Sequence, residues 1–241
     1  ISACLVGSEM CIRDSKRAMH IGISEFYVKR GATVTFTMIH GWRENVDVRP
    51  RTGVIIEKDG AFINNYVCLR PVKTLQMYPT AYCTGDDAKV RFHSLLYGVE
   101  KSSIDIGGRI YLSAAGSRAE ITVRAIAKDE CEIVSRGHLI GEAPQTKAHL
   151  DCRGLLLSSH ARIHAIPELE GRVEGTDLSH EAAVGKIQEE QLYYLMTRGL
   201  NEEQATSLIV KGFLDPEIPG LPEHLRSEIR RCVQLTAEKA F

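Results

Sequence analysis

Five alanines set the frame of this chain. Ala32, Ala61, Ala88, Ala119 and Ala148 follow one another at intervals of 29, 27, 31 and 29 residues. Each belongs to the same phrase: a turn or polar residue, then alanine, then alternating apolar positions. It reads Gly31-Ala32-Thr33-Val34-Thr35-Phe36, then Gly60-Ala61-Phe62-Ile63, then Asp87-Ala88-Lys89-Val90-Arg91-Phe92. It returns at Arg118-Ala119-Glu120-Ile121-Thr122-Val123, at Lys147-Ala148-His149-Leu150-Asp151-Cys152, and in His160-Ala161-Arg162-Ile163-His164-Ala165. Alternation of period two with β-branched residues describes half-buried strands. A near-constant interval over many units describes stacked supersecondary repeats. No helical pattern separates the strands, which leaves a β-solenoid or a β-sandwich, and a sandwich gives no reason for a fixed period. The expected fold is therefore mainly β: a right-handed parallel β-helix over residues 21–180. A small alanine at the head of each strand suits a tight corner between stacked coils. Residues 1–20 fit no periodic pattern and stay unassigned; the chain opens on Ile1 rather than Met and reads as a fragment.

Beyond residue 180 the period changes, and a helical domain is expected over 181–241. Gln191, Leu192, Leu195 and Met196 recur at helical spacing and stop at Gly199, a residue suited to a helix C-terminus. Asn201 and Gln204 are spaced as a capping box. The next helix presents Ala205, Leu208, Ile209 and Phe213 and ends before Asp215-Pro216. A third opens at Pro222 and carries Leu225, Ile229, Cys232, Val233 and Leu235. Three short helices cannot bury these faces among themselves. They must dock on the solenoid, on a partner, or on both, a cap over the last coil being the plainest form of the first, with Leu192, Leu195, Leu208 and Ile209 as the partner-facing set.

Composition removes several classes. A net charge of -1 does not describe a non-specific nucleic-acid binder. No apolar run approaches the length that spans a bilayer, and residues 1–12 lack the basic start of a secretory signal, which points to the cytoplasm. No G-x-x-x-x-G-K-S/T loop is present, so the chain does not hydrolyse ATP by that route. The seven cysteines (Cys4, Cys11, Cys68, Cys83, Cys131, Cys152 and Cys232) contain no C-x-x-C pair. That excludes a self-contained zinc or ferredoxin-type site, so the fold or a second chain must bring metal ligands together.

Cys152 lies on the strand 147–157. Alternation puts Ala148, Leu150 and Cys152 on one face and His149, Asp151 and Arg153 on the other. Two readings stand: a small hydrophobe in the core, or a thiolate that carries sulfide or ligates iron. His180 and Glu181 are likewise either a surface pair at a helix entry or a metal-binding and proton-moving pair. As strand neighbours they face opposite ways unless the backbone bends. His160 and His164 have no diagnostic spacing.

The segment Ser179-His180-Glu181-Ala182-Ala183, with Gln191-Leu192-Tyr193-Tyr194-Leu195 and Arg198-Gly199-Leu200, resembles the SufB/SufD proteins of iron–sulfur cluster assembly. The resemblance runs over residues 20–238 and is most specific over 146–214. Glu44-Asn45-Val46 after Trp42 and Met77-Tyr78-Pro79 are similar to family phrases, although Gln76-Met77 stands where the SufB type has Trp-Lys. Trp42 and Tyr78 are otherwise read as solenoid packing. His149-Leu150-Asp151-Cys152 with Leu155-Leu156-Leu157 is similar to the SufB segment bearing its cysteine. Glu181, 29 residues on, matches the acidic residue implicated beside it. His180 matches the SufD histidine, and Ser158-Ser159-His160-Ala161 fills a second SufB cysteine region.

The resemblance implies a parallel β-helix, a helical end that binds the SufC ATPase, and a scaffold rather than an enzyme. Cys152 would accept sulfur or bind iron, with His180 and Glu181 completing the coordination or shuttling protons. Pairing with a second copy or with a SufB/SufD-type partner stays open. So do the cluster type, [4Fe-4S] or [2Fe-2S], and any flavin. Two alternatives remain: a SufD-like structural partner that holds no cluster, which would not need Cys152, and a β-helix polysaccharide-active enzyme, which would need acidic side chains grouped on one solenoid face.

Overall fold

The computed structural model describes residues 3–13, 18–41, 45–70, 72–214 and 223–238. Trp42 and Glu44 lie outside the described residues. The strands begin with β1 (Ala3–Arg13), β2 (Ala18–Val28), β3 (Thr33–His40), β4 (Val46–Val48) and β5 (Arg51–Ile56). They continue with β6 (Ala61–Cys68), β7 (Thr74–Met77), β8 (Thr80–Cys83), β9 (Lys89–Gly98) and β10 (Ser103–Leu112). The last are β11 (Arg118–Ala127), β12 (Glu132–Gly141), β13 (Lys147–Leu156), β14 (Arg162–Gly171) and β15 (Asp177–Lys186). Three helices follow: α1 (Glu189–Thr197), α2 (Glu202–Leu214) and α3 (Glu223–Glu238).

The strands wind into a solenoid of about six turns. Two parallel sheets face each other across one core. The first runs β14-β12-β10-β7-β4-β2, with β5 and β8 continuing the rows of β4 and β7. The second runs β15-β13-β11-β9-β6-β3. Among the described strands only β1, antiparallel on β2, departs from parallel pairing. Two rows of the first sheet are broken where proline interrupts the ladder, at Arg49-Pro50 and at Tyr78-Pro79. Tyr78 is half-buried at its break, with the Arg109 guanidinium 5.5 Å above its ring.

The period comes from a corner. Gly31, Asp59, Asp87, Gly116, Gln145 and Gly175 stand at the same corner of successive coils, all with positive φ. The Gly31 N–H donates to Lys58 O, Asp59 to Asp86 O, Asp87 to Ala115 O, Gly116 to Pro144 O and Gln145 to Gly175 O. Each corner thus hydrogen-bonds to the next, and only glycine or a residue tolerant of the left-handed region fits there. This corrects the alanine frame. In register, Thr33, Ala61, Lys89, Arg118, Lys147 and Asp177 form one row. Ala32 and Ala88 therefore precede the strand, Ala61 opens it, and Ala119 and Ala148 sit one position inside. The interval is real, but the left-handed corner enforces it. Ala161 belongs to the other sheet, just ahead of β14. In that other sheet β10 and β12 open on Ser103 and Glu132, with no alanine to mark them.

Large apolar side chains fill the interior. Near the first coils the Phe26 ring packs at 4.8 Å from Phe36 and 4.9 Å from Phe62. Toward the far end the core thins to Ala148, Leu150, Cys152 and Ile133.

The helices do not cap the last coil. Val210, Leu214, Ile229, Val233 and Ala237 pack on Val67, Leu95, Tyr97, Ile126 and Leu155, which face outward from the second sheet. The Thr236 hydroxyl hydrogen-bonds to Leu69 O at 3.3 Å. The capping box forms as expected: the Gln204 N–H donates to Asn201 Oδ1 (2.8 Å), and the Asn201 N–H to Gln204 Oε1 (3.0 Å). On α2 the buried residues are Ala205, Val210 and Leu214, so Leu208 is left outside. Strand structure also continues past residue 180, because Ala182 and Val184 keep the alternation of β15 and the first helix waits until Glu189. At the other end, β2 already starts at Ala18. No helix among the described residues is long and apolar enough to cross a membrane.

The last coil, β14 and β15, is left uncovered. Leu169 and Val184 are exposed although both follow the inward alternation. Arg162 and Arg172 donate backbone N–H groups to the previous coil, at Cys131 O and Gly141 O. By alternation the Pro167 nitrogen, which carries no hydrogen, lies on the open side of β14. On β15, Asp177 donates inward to Thr146 O, so the N–H groups of Leu178, His180, Ala182 and Val184 face outward.

Candidate functional site

The interior face of β13 and β15 brings two of the three site residues together. Cys152 is buried, and its register partner on β15 is Ala182. His180 pairs with Leu150, two positions back on the same inward face. It is half-buried, with Nε2 enclosed and without a hydrogen-bond partner. An enclosed, unbonded imidazole nitrogen is costly unless something else satisfies it.

Glu181 does not join them. It pairs with Asp151 on the outer face, exposed, with Arg153 Nη2 at 3.4 Å from its carboxylate. Burial alternates from Asp177 to Glu181 and the register to β13 is unbroken, so no bend turns Glu181 inward. The expected Cys152–His180–Glu181 ligand set is therefore split between two faces. Among the described residues no group of three or more His, Cys, Asp or Glu side chains could hold a metal ion. One chain supplies a thiol and an imidazole and nothing more on that face. His160 and His164 are both exposed and away from it.

Below Glu181 runs a charged ladder that the sequence did not single out. Arg124 Nη2 lies 2.7 Å from Asp151 Oδ2, and Arg153 Nε 3.2 Å from Asp151 Oδ1. Burial pushes the Asp151 carboxyl up, but the hydrogen bond and charge of Arg124, with Arg153 beyond, hold it below its ordinary value. Ser135 was also missed. It projects inward from β12, on the opposite sheet, and its Oγ lies 3.5 Å from Cys152 Sγ. Its signal in the sequence is a lone hydroxyl at an inward position of an otherwise apolar strand.

The described cysteines differ in setting. Burial pushes the thiols of Cys68, Cys83 and Cys131 up to about 12. Burial also raises Cys152, against the pull of the Ser135 hydroxyl. A buried, protonated thiol is inert, so three of these side chains read as packing. The Cys131 sulfur fills the space above Gly98.

The apolar residues of α1 and α2 form a second feature. Tyr193, Tyr194, Met196 and Leu208 are exposed on α1 and α2. Leu195 and Ile209 line a groove of about 430 Å³ with Glu190, Gln191 and Tyr194. Leu192 lines a neighbouring pocket of about 380 Å³ with Leu156, Leu157 and Ile187. No side chain of α1 is buried.

Fold and site together define a class: a parallel β-solenoid with sulfur and imidazole donors inside its last two coils, flanked by helices with exposed apolar side chains. Residues 3–213 match the family model described as SUF system FeS cluster assembly, SufBD core domain. The chain belongs to that family. It is 50% identical over 236 residues to an iron-sulfur cluster assembly SufBD family protein of Methanothermobacter thermautotrophicus, covering 98% of this chain and 56% of the relative. It is 52% identical over 217 residues to one of Archaeoglobus fulgidus, covering 90% of this chain and 58% of that protein. A Pyrococcus horikoshii relative is 37% identical over 226 residues, 94% of this chain and 50% of its own length. The chain thus spans about half the length of the relatives it matches. The match begins at residue 3, inside the segment left unassigned from sequence. The polysaccharide-active alternative rests on fold alone, and a fold does not carry a function.

Proposed function

We propose that this chain is a scaffold on which an iron–sulfur cluster is built as cargo and released, in complex with a SufC-like ABC-type ATPase. The observation that carries the reading is the Cys152 thiol on the same interior face as the unbonded His180 Nε2, within the terminal coils. Thiolate is the usual protein donor to such clusters, and imidazole is an accepted substitute. One thiol per chain falls short of four ligands. The cargo is therefore shared between two chains meeting at the open β15 edge, as a homodimer or a SufB/SufD-type pair. Few protein ligands also make the cargo easy to hand on. Glu181, held outward by Arg153, serves at that edge rather than beside Cys152. A reducing compartment, the cytoplasm, suits such a thiol. Anaerobic reconstitution with iron and sulfide tests the reading. Absorption and Mössbauer spectra are expected to show a [4Fe-4S] or [2Fe-2S] cluster, and a chain that takes up no iron alone or with its partners overturns it.

A second reading, a SufD-like structural partner, draws on the Ser179-His180 pair and has no use for Cys152.

The ATPase belongs on α1 and α2. Their apolar residues stay bare after α2 and α3 have covered the solenoid flank. Joint substitution Tyr194→Asp and Leu208→Asp is expected to weaken ATPase binding by about tenfold or more, with the melting temperature unchanged because both residues are exposed. Unaltered affinity in a calorimetric titration would move the interface elsewhere.

A further inference from the structure

We propose that Pro167 is a positioning residue for His180: its ring blocks the way across the core and turns the imidazole along β15, over the alanines that lie above Cys152. The inference deepens the scaffold reading and rests on it. The two sheets meet in facing pairs. Ser135 on β12 faces Cys152 on β13, with Oγ and Sγ 3.5 Å apart. Two positions away Gly137 faces Leu150, whose Cδ1 would stand 2.5 Å from a Cβ placed on the glycine. Register carries both pairs one coil further, to β14 and β15. There Ala165 faces Ala182, and Pro167 faces His180.

The column beneath Pro167 is made of glycine. Gly108, Gly137 and Pro167 follow one another in register on the inward face of the first sheet. Phe92 and Leu150 reach across into the space that the two glycines leave. At Pro167 a rigid ring fills that space itself, so His180 cannot extend across the core as Leu150 does. On one side of His180 stand Leu169 and Leu178, the register partners of Leu139 and Ala148. On the other side are only the methyl groups of Ala165 and Ala182, and Ala182 is the register partner of Cys152. The imidazole turns to the side that has room, which is the side of the sulfur. Its enclosed Nε2 fits that placement, because a ring pointing out of an uncovered coil would be wet. A ring fixed beforehand gives up little freedom when it binds, and a ligand on Nε2 satisfies an atom that burial leaves unpaired.

Nuclear Overhauser contacts in a chain labelled at histidine, proline and alanine test the geometry without metal. In the intact chain the His180 ring protons are expected to touch the Pro167 ring and the methyl groups of Ala165 and Ala182. Absence of either contact overturns the proposal. Pro167→Gly, which restores the residue of the earlier coils, is expected to lose the methyl contacts. Pro167→Val, which keeps bulk on the inward face, is expected to retain them. Methyl contacts that survive in Pro167→Gly also overturn the proposal. Anaerobic titration with ferrous iron alone reads the consequence. Pro167→Gly is expected to bind iron about tenfold more weakly, and to add no further loss in a His180→Ala background. Additive losses mean that the proline acts independently of the imidazole, and they overturn its positioning role. An intact chain that binds no ferrous iron sinks the scaffold reading instead, while the contacts still decide where the imidazole sits.

Discussion

Cys152→Ser is expected to lose most of the cluster formed by anaerobic reconstitution, while Cys68→Ser, Cys83→Ser and Cys131→Ser retain it. The three controls carry thiols that burial holds protonated up to about 12, and the Cys131 sulfur packs on Gly98. Cys152 alone among these four hydrogen-bonds to a side-chain hydroxyl, and it shares its inward face with His180. His180→Ala should lose less, because water or exogenous thiol can replace imidazole at iron. Glu181→Ala should lose least, since its carboxylate points away from the sulfur. A buried serine in place of the thiol costs about 1 kcal/mol or more in stability, so each variant is melted alongside. A folded Cys152→Ser that still assembles a full complement of cluster makes Cys152 core packing, and the SufD-like structural reading then stands.

Gly85→Ala is expected to destabilise the solenoid by about 3 kcal/mol, while Gly53→Ala changes stability by less than about 0.5 kcal/mol. A Cβ at Gly85 would overlap the Lys58 backbone nitrogen of the previous coil. No flexible side chain can yield there, and the hydrogen bonds of the Asp59 and Asp87 corners fix the spacing on either side. A Cβ at Gly53 meets nothing within 4 Å. Urea denaturation of the pair separates close stacking from generic glycine loss. Equal midpoints would mean that the corners part easily.

The solenoid was legible because period-two alternation and a recurring interval survive in side-chain identity. What enforces the interval was less visible. Asp59, Asp87 and Gln145 adopt the same left-handed corner as Gly31, Gly116 and Gly175, and no single residue type marks that position. Alanine stood in for it because an alanine follows the first five of these corners, one to three places on. The inward aim of Cys152 followed from alternation alone. The split between His180 and Glu181 followed from the same rule, and the structure keeps it. Ser135 was out of reach because its partner lies 17 residues away on the facing sheet, a relation that depends on how the two strands of a coil meet. The helices were found by their spacing, but not their seat. Val67, Leu95 and Leu155 look like ordinary strand positions until α2 and α3 are laid over them.

Pro167 bears on how far such molecules can polymerise. A solenoid whose sheets both end in bare strands is a template for an endless fibre, each molecule extending the ladder of the last. Continuing both sheets would require a full row of donors on β14 as well as on β15. The proline removes the middle donor from one of them, so a newcomer can pair fully along β15 alone. Two molecules can satisfy each other there and close the arrangement. From this end of the solenoid, fibre growth along both sheets at once is therefore interrupted at Pro167.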